Sequence, residues 1–520
     1  MSPRLQTQLD LLDERHARTP QQPAFFWDDQ PYTFDGLWQR AHRVAALLLE
    51  RGVAPGDRVL IRLGNGPEFF DAFYGILRAG AIAVPLFPAS GAERIAALAT
   101  LCGARLMIAP ASQRDDVAGL PTLAVSDSDD TPLPASFPAV RLDDVAFLQY
   151  TSGSTGLPKG VMLSHRGLLT NIEQLIGGMQ LTDADCFVSW LPVFHDMGLI
   201  FMTMVPFFLG AKLVLLPTTL ANPRPWLSAI ARHRGTVTAA PDFAYRLALR
   251  HVREPGAYDL TSLRVALDAA EPVRPGTLEA FERAFGLGHV VIAGYGLAEA
   301  TVGVSTWTPG TAPLVDARGV VSVGRPFAGI DIQIIEHDEP LPAGEVGEIA
   351  LRSPANTRGY FSDAEETARL FWRDDYIRTG DLGYLDAAGH LFVTGRRKNI
   401  IKHGGGTIFP QEPEIITDSV PGIRRSAAVG IESGGPEGEQ LYVFAELSKP
   451  GGDDAAFQEL AIDVVQAIHA QLGVRPGRVY LLRPRAIPLT ANGKTQHAAL
   501  RALYLSGELK ARDAILFPRY

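Results

Sequence analysis

One segment of the chain combines the residue types that bind phosphate. Residues 151–160 read TSGSTGLPKG, with three glycines, two serines, two threonines and Lys159. Glycines let backbone N–H groups approach an anion closely, hydroxyl groups add donors, and the lysine adds a cation. The order of residues differs from the Walker A pattern, in which Lys and Ser or Thr directly follow the last glycine. The segment predicts a phosphate loop of another kind; the alternative is an exposed Gly/Ser hairpin turn.

Three further segments place charged side chains in turns. Residues 294–300 (GYGLAEA) offer glycines for close backbone approach and the carboxylate of Glu299, a hard ligand that suits magnesium. Residues 376–385 (YIRTGDLGYL) hold Asp381, which in isolation would be an ordinary turn residue. Residues 488–496 (PLTANGKTQ) present Lys494 next to an Asn-Gly turn, where surface lysines are common. Glu299 by itself could equally be a solvated acid at a helix start.

Taken together and in order, these motifs resemble the adenylate-forming enzymes: acyl-CoA synthetases, nonribosomal adenylation domains, luciferases and fatty acyl-AMP ligases. DAAEP at 268–272 and GRRKN at 395–399 complete the set, which spans nearly the whole chain to Lys494. Ala298 stands where many members have threonine, as in the fatty acyl-AMP ligase branch. Ala269 departs from the glycine that most members have.

The resemblance implies a role for each matched residue. Tyr295 would lie against adenine, and Asp381 would bind the ribose hydroxyls beside Arg396. The implied catalytic residues are Lys494, Lys159 and Glu299, and Glu299 and Thr155 would hold Mg²⁺. The residues implied to bind ATP are Thr151, Ser152, Gly153, Ser154, Thr155, Gly156, Lys159, Asp268, Ala269, Ala270, Glu271, Gly294, Tyr295, Gly296, Leu297, Ala298, Asp381, Arg396 and Lys494.

The implied chemistry is activation of a carboxylic acid by ATP. A carboxylate has a poor leaving group, and conversion to an acyl-adenylate supplies a good one. Two anions must meet, so catalysis rests on positioning and charge neutralisation, and the acid needs no general base because it is ionised at neutral pH. A thiol of phosphopantetheine, on an acyl carrier protein or coenzyme A, would then take the acyl group.

In the family a small C-terminal domain turns about a hinge between these two steps. The hinge position holds Asn399, where members usually have Asp or Lys, and asparagine tolerates the unusual backbone angles of a hinge. Residues 402–410 (KHGGGTIFP) match the loop that enters the site after rotation. Its glycines suit close approach to pantetheine, and a bulky residue at Gly405 is expected to impair thioester formation while sparing adenylation.

Two segments resemble the acyl pocket of fatty acyl-AMP ligases, residues 190–200 and 238–247. The substrate residues implied are His195, Asp196, Met197, Gly198, Asp242, Tyr245 and Gly296. The apolar run after His195 suits an alkyl chain, at about 0.8 kcal/mol for each buried methylene. A core histidine is the alternative for His195. A capping or solvated role is the favoured interpretation for Asp242, and contact with a substrate amine is the other.

The acceptor of the acyl group has two interpretations. The branch resembled delivers to acyl carrier proteins, but it usually carries an insertion before RTGDLG that is thought to restrain domain rotation. Residues 371–375 here run almost directly into that motif, which leaves coenzyme A open. A non-catalytic adenylate-binding regulator is a third interpretation, disfavoured because Lys494, Glu299 and Asp381 are all present.

The elements that must position these residues alternate between helix and strand. Residues 32–51 and 67–79 show helical spacing, and short β-branched runs such as 58–62 and 237–240 predict buried strands. The fold class is therefore α/β, with mixed, mostly parallel sheets, then a β-rich subdomain from about 321. We expect a large N-terminal domain over 1–398 and a small, mobile α+β domain over 399–520.

Composition narrows the class further. The 520 residues carry a net charge of −9 and 46% hydrophobic residues, which favours a soluble globular protein and argues against a general nucleic-acid binder. Two cysteines cannot form a disulfide framework, and the N-terminus lacks an apolar signal core, so we expect a cytoplasmic protein. Residues 197–211 fall short of a membrane span and predict a buried helix or pocket wall. A monomer or dimer is expected.

Overall fold

The computed structural model describes residues 7–114, 117, 119–151, 158–218, 222–403, 406–432, 439–449, 451–490 and 493–518. The α-helices are Gln8–Arg18, Phe34–Glu50, Pro67–Arg78, Ala92–Cys102, His165–Met179, Val205–Leu209, Arg224–His233, Asp242–His251, Pro275–Phe285, Ala364–Leu370, Gln411–Ser419, Asp454–Leu472, His497–Leu505 and Glu508–Ala511. The helix predicted over 32–51 is Phe34–Glu50, and Thr33 caps it by accepting a hydrogen bond from the Gly36 N–H at 3.1 Å.

A six-stranded sheet carries the flanks of the predicted phosphate loop. Its strands, in spatial order, are Thr122–Leu123, Ala104–Ile108, Arg58–Ile61, Ile82–Pro85, Val145–Thr151 and Lys159–Ser164. The last two are antiparallel, and Thr151 lies opposite Lys159. This pairing brings the two ends of the predicted loop side by side.

A nine-stranded sheet supplies most of the other motifs. In spatial order its strands are Arg325–Pro326, Ser305–Thr306, Val291–Tyr295, Val265–Asp268, Val237–Ala240, Cys186–Ser189, Lys212–Leu215, Pro23–Trp27 and Gln30–Thr33. The six strands from Val291–Tyr295 to Pro23–Trp27 in this order are parallel to one another, and the strands outside them pair antiparallel. Loops that leave the carboxyl ends of parallel strands share one edge, where ligands bind in α/β sheets. The segments starting at residues 190, 241, 269 and 296 all leave from that edge.

The β-rich region predicted after residue 321 forms a separate, antiparallel sheet. Its strands are Glu339–Pro340, Asp331–Glu336, Gly347–Arg352, Tyr376–Leu385 and Phe371–Trp372, and Leu391–Arg396 pairs with Tyr376–Leu385. This last pairing places Asp381 opposite Arg396. The prediction of an α/β chain with a β-rich region is confirmed.

The chain after residue 400 builds its own sheets and apolar clusters. A hairpin of Ile401–His403 and Gly406–Ile408 is followed by a four-stranded sheet of Ile423–Glu432, Glu439–Leu447, Arg478–Leu482 and Ile515–Phe517. Buried residues such as Val443, Val464 and Leu481 join this sheet to helix Asp454–Leu472. Asn399 lies in a 3₁₀ turn, Arg397–Asn399, two residues before strand Ile401–His403.

The most apolar run, 197–211, lies inside the protein. Met197–Met204 is a π-helical stretch whose residues are all buried, and it continues into helix Val205–Leu209. This confirms the prediction of a buried helical segment. Across the described part of the chain, we find no helix whose length and apolar character would allow it to span a bilayer.

Candidate active site

The start of the site is the pair of strands around the phosphate loop. Thr151 ends one strand and Lys159 begins the next. The predicted ATP ligands Ser152, Gly153, Ser154, Thr155 and Gly156 lie outside the described residues, and so does the predicted metal ligand Thr155. The Lys159 ammonium forms an ion pair with Glu366 and lies 4.9 Å from the ring centroid of Tyr360.

Glu299 lies in a 3₁₀ turn, Ala298–Ala300, just after strand Val291–Tyr295. Its carboxylate accepts a hydrogen bond of 2.9 Å from the Tyr360 hydroxyl. Burial raises the pKa of Glu299, because a charged carboxylate is poorly solvated there. A divalent cation would supply the positive charge that this carboxylate lacks, so Glu299 fits the predicted magnesium role.

Asp381 contacts two of the residues predicted to bind the nucleotide. The Tyr295 hydroxyl donates to its Oδ2 at 2.7 Å, and Arg396 Nε lies 2.8 Å from its Oδ1. Tyr295 comes from the nine-stranded sheet, whereas Asp381 and Arg396 are paired neighbours in the β-rich sheet. The structure thus brings the predicted adenine and ribose residues together where the two sheets meet.

Gly296 and Gly294 are required by contacts within the protein. A Cβ added to Gly296 would lie 1.7 Å from the Val302 carbonyl oxygen, and one added to Gly294 would lie 2.7 Å from Leu267 Cδ1. The sequence predicted glycines here for approach to the nucleotide. In the structure the chain doubles back on itself so closely at Gly296 that no side chain fits. Leu297 and Ala298, which follow, are buried.

The predicted adenine-side loop follows strand Val265–Asp268. Asp268 is fully buried, and neither of its carboxylate oxygens has a hydrogen-bond partner among the described residues. Burial, followed by the nearby Asp242 and Glu271, raises the pKa of Asp268 well above its usual range. Ala270 has a left-handed φ of 73°, so the position in this loop that would favour glycine is Ala270, one residue after the departure at Ala269. Glu271 accepts a hydrogen bond from the Phe243 N–H.

Lys494 lies in the C-terminal part of the chain, between strand Arg478–Leu482 and helix His497–Leu505. Its N–H donates to Thr490 Oγ1 at 3.1 Å, and its carbonyl accepts from the Thr490 N–H at 2.8 Å, which closes a tight turn. Burial lowers the pKa of Lys494, and the nearby carboxylate of Asp196 opposes that shift. Gly493 packs on the Phe243 ring, where an added Cβ would approach within 2.9 Å. Asn492, the other residue of the predicted turn, lies outside the described residues.

A cavity lies beside the adenine-side loop and next to the turn that holds Lys494. Its lining residues are Trp190, Leu191, Pro192, His195, Met197, Pro241, Phe243 and Ala270. A neighbouring cavity shares Trp190 and Phe243 and is otherwise lined by Asn222, Pro223, Trp226, Ala244 and Leu247. Both have mostly apolar walls, as a pocket for a hydrocarbon chain requires.

His195 lines the first of these cavities and contacts the predicted substrate residue Asp196. His195 Nδ1 is 2.7 Å from Asp196 Oδ1. Burial raises the pKa of Asp196, but His195 and then Lys494 outweigh it, so the pKa lies below its usual value. Met197 lines the cavity, whereas Gly198 packs on backbone: its added Cβ would lie 2.1 Å from the Pro192 carbonyl oxygen.

Of the predicted substrate residues, His195 and Met197 line the cavity and the other five, which include Asp242 and Tyr245, do not. Asp242 is completely buried, 2.7 Å from Arg274 Nη1 and 2.8 Å from Arg246 Nε. Tyr245 is also completely buried, with its ring against Trp226 and Phe281 and its hydroxyl donating to the Leu267 carbonyl. Asp242 is therefore an ion-pair partner at the start of its helix, and Tyr245 is part of the core.

Several residues that complete the site carry no sequence signal. Tyr360 and Glu366 contact Glu299 and Lys159, yet they stand in a segment (GYFSDAEETARL) that reads as an ordinary turn and short helix. Asp418, in helix Gln411–Ser419, lies 2.7 Å from Arg274 Nη2 and ties the C-terminal part of the chain to the site. Periodicity could not have predicted these contacts, because each joins distant segments.

The hinge candidate Asn399 contacts a histidine that follows the lysine turn. Asn399 Nδ2 lies 3.5 Å from His497 Nδ1, and His497 Nε2 lies 2.6 Å from Glu414 Oε1. Gly404 and Gly405, in the loop predicted to approach pantetheine, lie outside the described residues. The hinge role stays a prediction.

With this geometry in view, comparison with known proteins identifies the family. Residues 12–361 match the family described as AMP-binding enzyme. The chain belongs to that family. This AMP-binding enzyme is 30% identical over 580 aligned residues to a 4-hydroxyphenylalkanoate adenylyltransferase of Mycobacterium tuberculosis, covering 97% of this chain and 93% of the relative. It is 30% identical over 579 residues to a medium-chain-fatty-acid–[acyl-carrier-protein] ligase of Moorena producens, covering 98% and 97%.

A solved structure extends the comparison to three dimensions. A structure from a study of fatty acyl-adenylate ligases of E. coli and L. pneumophila superposes with a TM-score of 0.87 at 28% identity, covering 98% of this chain and 99% of that one. The resemblance inferred from the motifs is confirmed. The AMP-binding enzyme is an adenylate-forming enzyme, which uses ATP to convert an acid into its acyl-AMP.

Proposed function

We propose that this AMP-binding enzyme activates a fatty or other aliphatic carboxylic acid and passes the acyl group to the phosphopantetheine thiol of an acyl carrier protein. The observation that carries the proposal is the position of Lys494: Gly493, the residue before it, packs on Phe243 of the cavity wall, and the Lys494 ammonium is close enough to Asp196 and to Asp381, at the predicted ribose site, for their charges to act on it. A cation between an acid pocket and a nucleotide site is what the joining of two anions requires.

The first half-reaction follows from this arrangement. A carboxylate oxygen attacks the α-phosphorus of ATP, the bond from that phosphorus to the bridging oxygen breaks, and pyrophosphate leaves with the electron pair. Lys494 neutralises the charge that the carboxylate and α-phosphate bring together, while Asp381 and Arg396 orient the ribose. Magnesium, held by Glu299, would neutralise phosphate charge when bound.

The cavity supports an apolar acid. Its walls combine two proline rings, Met197, Leu191 and the rings of Trp190 and Phe243. One relative is named for medium-chain fatty acids and the other for 4-hydroxyphenylalkanoates. We therefore propose an aliphatic chain as the substrate, and include arylalkanoic acids among the compounds to be tested.

In the second half-reaction the thiol sulfur attacks the acyl carbonyl and AMP leaves. The proposed boundary between a rotating C-terminal domain, 399–520, and the N-terminal domain, 1–398, falls at Asn399, in a short turn between the last strand of the β-rich sheet and the C-terminal hairpin. The relative named for a carrier protein supports that acceptor.

One observation favours coenzyme A as a second candidate acceptor. Helix Ala364–Leu370 leads through strand Phe371–Trp372 and turn Arg373–Asp375 directly into strand Tyr376–Leu385, which holds the RTGDLG motif. These elements follow one another without an inserted segment that would restrain rotation. The alignments to both relatives are also longer than this chain, so those proteins contain residues with no counterpart here.

ATP–pyrophosphate exchange with straight-chain acids of increasing length and with arylalkanoic acids tests the first step. We expect labelled ATP with at least one acid and a clear length optimum. Absence of exchange with every acid, in folded protein supplied with Mg²⁺, would overturn the proposal. The best acid is then offered a phosphopantetheinylated carrier, the same carrier without the prosthetic group, and coenzyme A. Thioester that forms only on the phosphopantetheinylated carrier supports an acyl carrier protein as the acceptor. Thioester that forms with coenzyme A supports the second candidate.

The proposed site of action is a reducing cytoplasm. Cys102 and Cys186 are both free and buried. Burial raises the pKa of each thiol, which favours the unreactive protonated form.

A further inference from the structure

Lys159, the cation at the end of the predicted phosphate loop, already has an anionic partner. Its ammonium pairs with the carboxylate of Glu366, which belongs to helix Ala364–Leu370. Only 12% of the Lys159 side chain and 18% of the Glu366 side chain are exposed. Water and salt therefore screen this pair less than a surface pair, and any anion that recruits Lys159 has to compete with Glu366.

Glu366 is held in place without help from Lys159. Its second carboxylate oxygen accepts a hydrogen bond of 2.6 Å from Arg369, and its own N–H donates to Asp363 at 3.0 Å, at the start of the helix. Lys159 has a long, flexible side chain with three donors on its ammonium. In this pair the carboxylate is the fixed member and the ammonium is the one that can turn.

The other neighbour of Lys159 leads to the predicted magnesium ligand. The Tyr360 ring lies under the ammonium at 4.9 Å, and the Tyr360 hydroxyl donates to Glu299. A ring face attracts a cation without neutralising it, so it can keep Lys159 in place after the carboxylate is released. Before ATP binds, the Lys159 ammonium is paired with one carboxylate oxygen of Glu366 and Arg369 is paired with the other, so a triphosphate that recruits Lys159 has to displace this carboxylate.

We propose that Glu366 competes with the phosphates of ATP for the Lys159 ammonium. This competition sets the affinity for ATP and for pyrophosphate. The inference rests on the proposed function, because it assumes that the triphosphate binds beside Lys159. Each time Lys159 turns to a phosphate, the pair with Glu366 is lost, and that loss is subtracted from the binding free energy. After the reaction, return of Lys159 to Glu366 assists the departure of pyrophosphate. Glu366 acts through Lys159 and is a positioning residue.

The test compares Glu366→Gln with Glu365→Gln. Glu365 is the preceding residue of the same helix, its side chain is 77% exposed, and it pairs with Arg369 at the surface. We expect Glu366→Gln to lower the KM for ATP about two- to fivefold, the range of a partly exposed ion pair, and to lower the half-inhibitory pyrophosphate concentration by a similar factor. Glu365→Gln is expected to change neither. An unchanged or raised KM in Glu366→Gln would overturn the inference.

A second background separates action through Lys159 from a general effect of charge. In Lys159→Met, further replacement of Glu366 by Gln is expected to leave the ATP affinity as it is. A persisting gain in affinity would mean that Glu366 acts on the phosphates directly, and would overturn the inference.

Calorimetric titration of ATP into each variant without any acid gives the same comparison without turnover. If no acid supports exchange although ATP binds, the proposed function fails and the inference on Glu366 is still decided by these titrations. Melting curves of the four variants check that each is folded.

Discussion

Arg274 Nη2 lies 2.7 Å from Asp418 Oδ2, and this contact joins the predicted adenine-side loop to helix Gln411–Ser419 of the C-terminal part of the chain. Arg274 is held from the other side by the fully buried Asp242. Asp418 in turn accepts a hydrogen bond of 2.8 Å from Ser426, next to Arg425, whose guanidinium donates to the Gly493 carbonyl at 2.9 Å. A chain of contacts thus runs from the loop to the residue before Lys494.

Replacing Asp418 by Asn should hold Lys494 less firmly in the site, while the other contacts of the site are kept. Asparagine has the size of aspartate but lacks its charge. Arg274 and Arg246 still have Asp242 as an ion-pair partner. Loss of one charge-assisted hydrogen bond, about 1–2 kcal/mol, should slow adenylation about five- to thirtyfold in the exchange assay. Thioester formation from supplied acyl-AMP should be retained. Glu459→Gln, an exposed change in helix Asp454–Leu472, is the control. An equal loss in both half-reactions would contradict this prediction.

Lys494→Ala should abolish most of the adenylation rate and spare ATP binding. The ammonium acts where charge develops between carboxylate and phosphate, and removal of one such group costs about a hundred- to a thousandfold in rate. Pyrophosphate exchange measures the rate, and calorimetry measures the affinity for ATP. Lys449→Ala, an exposed lysine of the same region, serves as the control. Near-normal exchange in Lys494→Ala would refute the role of this residue.

Gly296→Ala should damage both folding and activity. The new methyl group would meet the Val302 carbonyl oxygen at 1.7 Å, so the backbone around Glu299 must move. Such overpacking costs about 1–3 kcal/mol, and we expect a lower melting temperature with a large loss of exchange. Gly288→Ala is the matched control, because Gly288 lies just before the same strand and has open space around its Cα. Equal behaviour of the two variants would show that the clash is relieved cheaply.

His497 should make stability depend on pH. Burial lowers its pKa, but Glu414 raises it more, so the pKa in the folded protein lies above the ordinary 6.5. The folded state then binds more protons than the unfolded state between these two values. The stabilisation is fully present below pH 6.5 and is lost as pH rises through the folded pKa.

We therefore expect the difference in melting temperature between the unchanged protein and His497→Gln to be largest near pH 6 and to shrink at alkaline pH. His251→Gln, which removes an exposed histidine, should show no such trend. A difference that grows with pH would mean that the neutral imidazole is the stabilising form.

Local sequence was sufficient to predict the helices and strands and to identify most of the reactive side chains. Periodicity gave helix Phe34–Glu50 with its Thr33 cap, and short β-branched runs gave the parallel strands. Asp381, Arg396 and Lys494 could be named because each stands in a motif whose residues are close in the chain. Asp242 and Tyr245 stand in such a segment too, yet the structure directs them to an ion-pair cluster and to the core.

What only the tertiary structure decided is which charges and rings meet across segments. Glu366 beside Lys159, Tyr360 beside Glu299 and Asp418 beside Arg274 each join elements of different sheets or helices. A side chain's chemistry and its local backbone preference depend on a few neighbouring residues. They can therefore be predicted from the sequence. The partner that satisfies a buried charge depends on how whole sheets are stacked, because that packing is set by the sum of many apolar contacts.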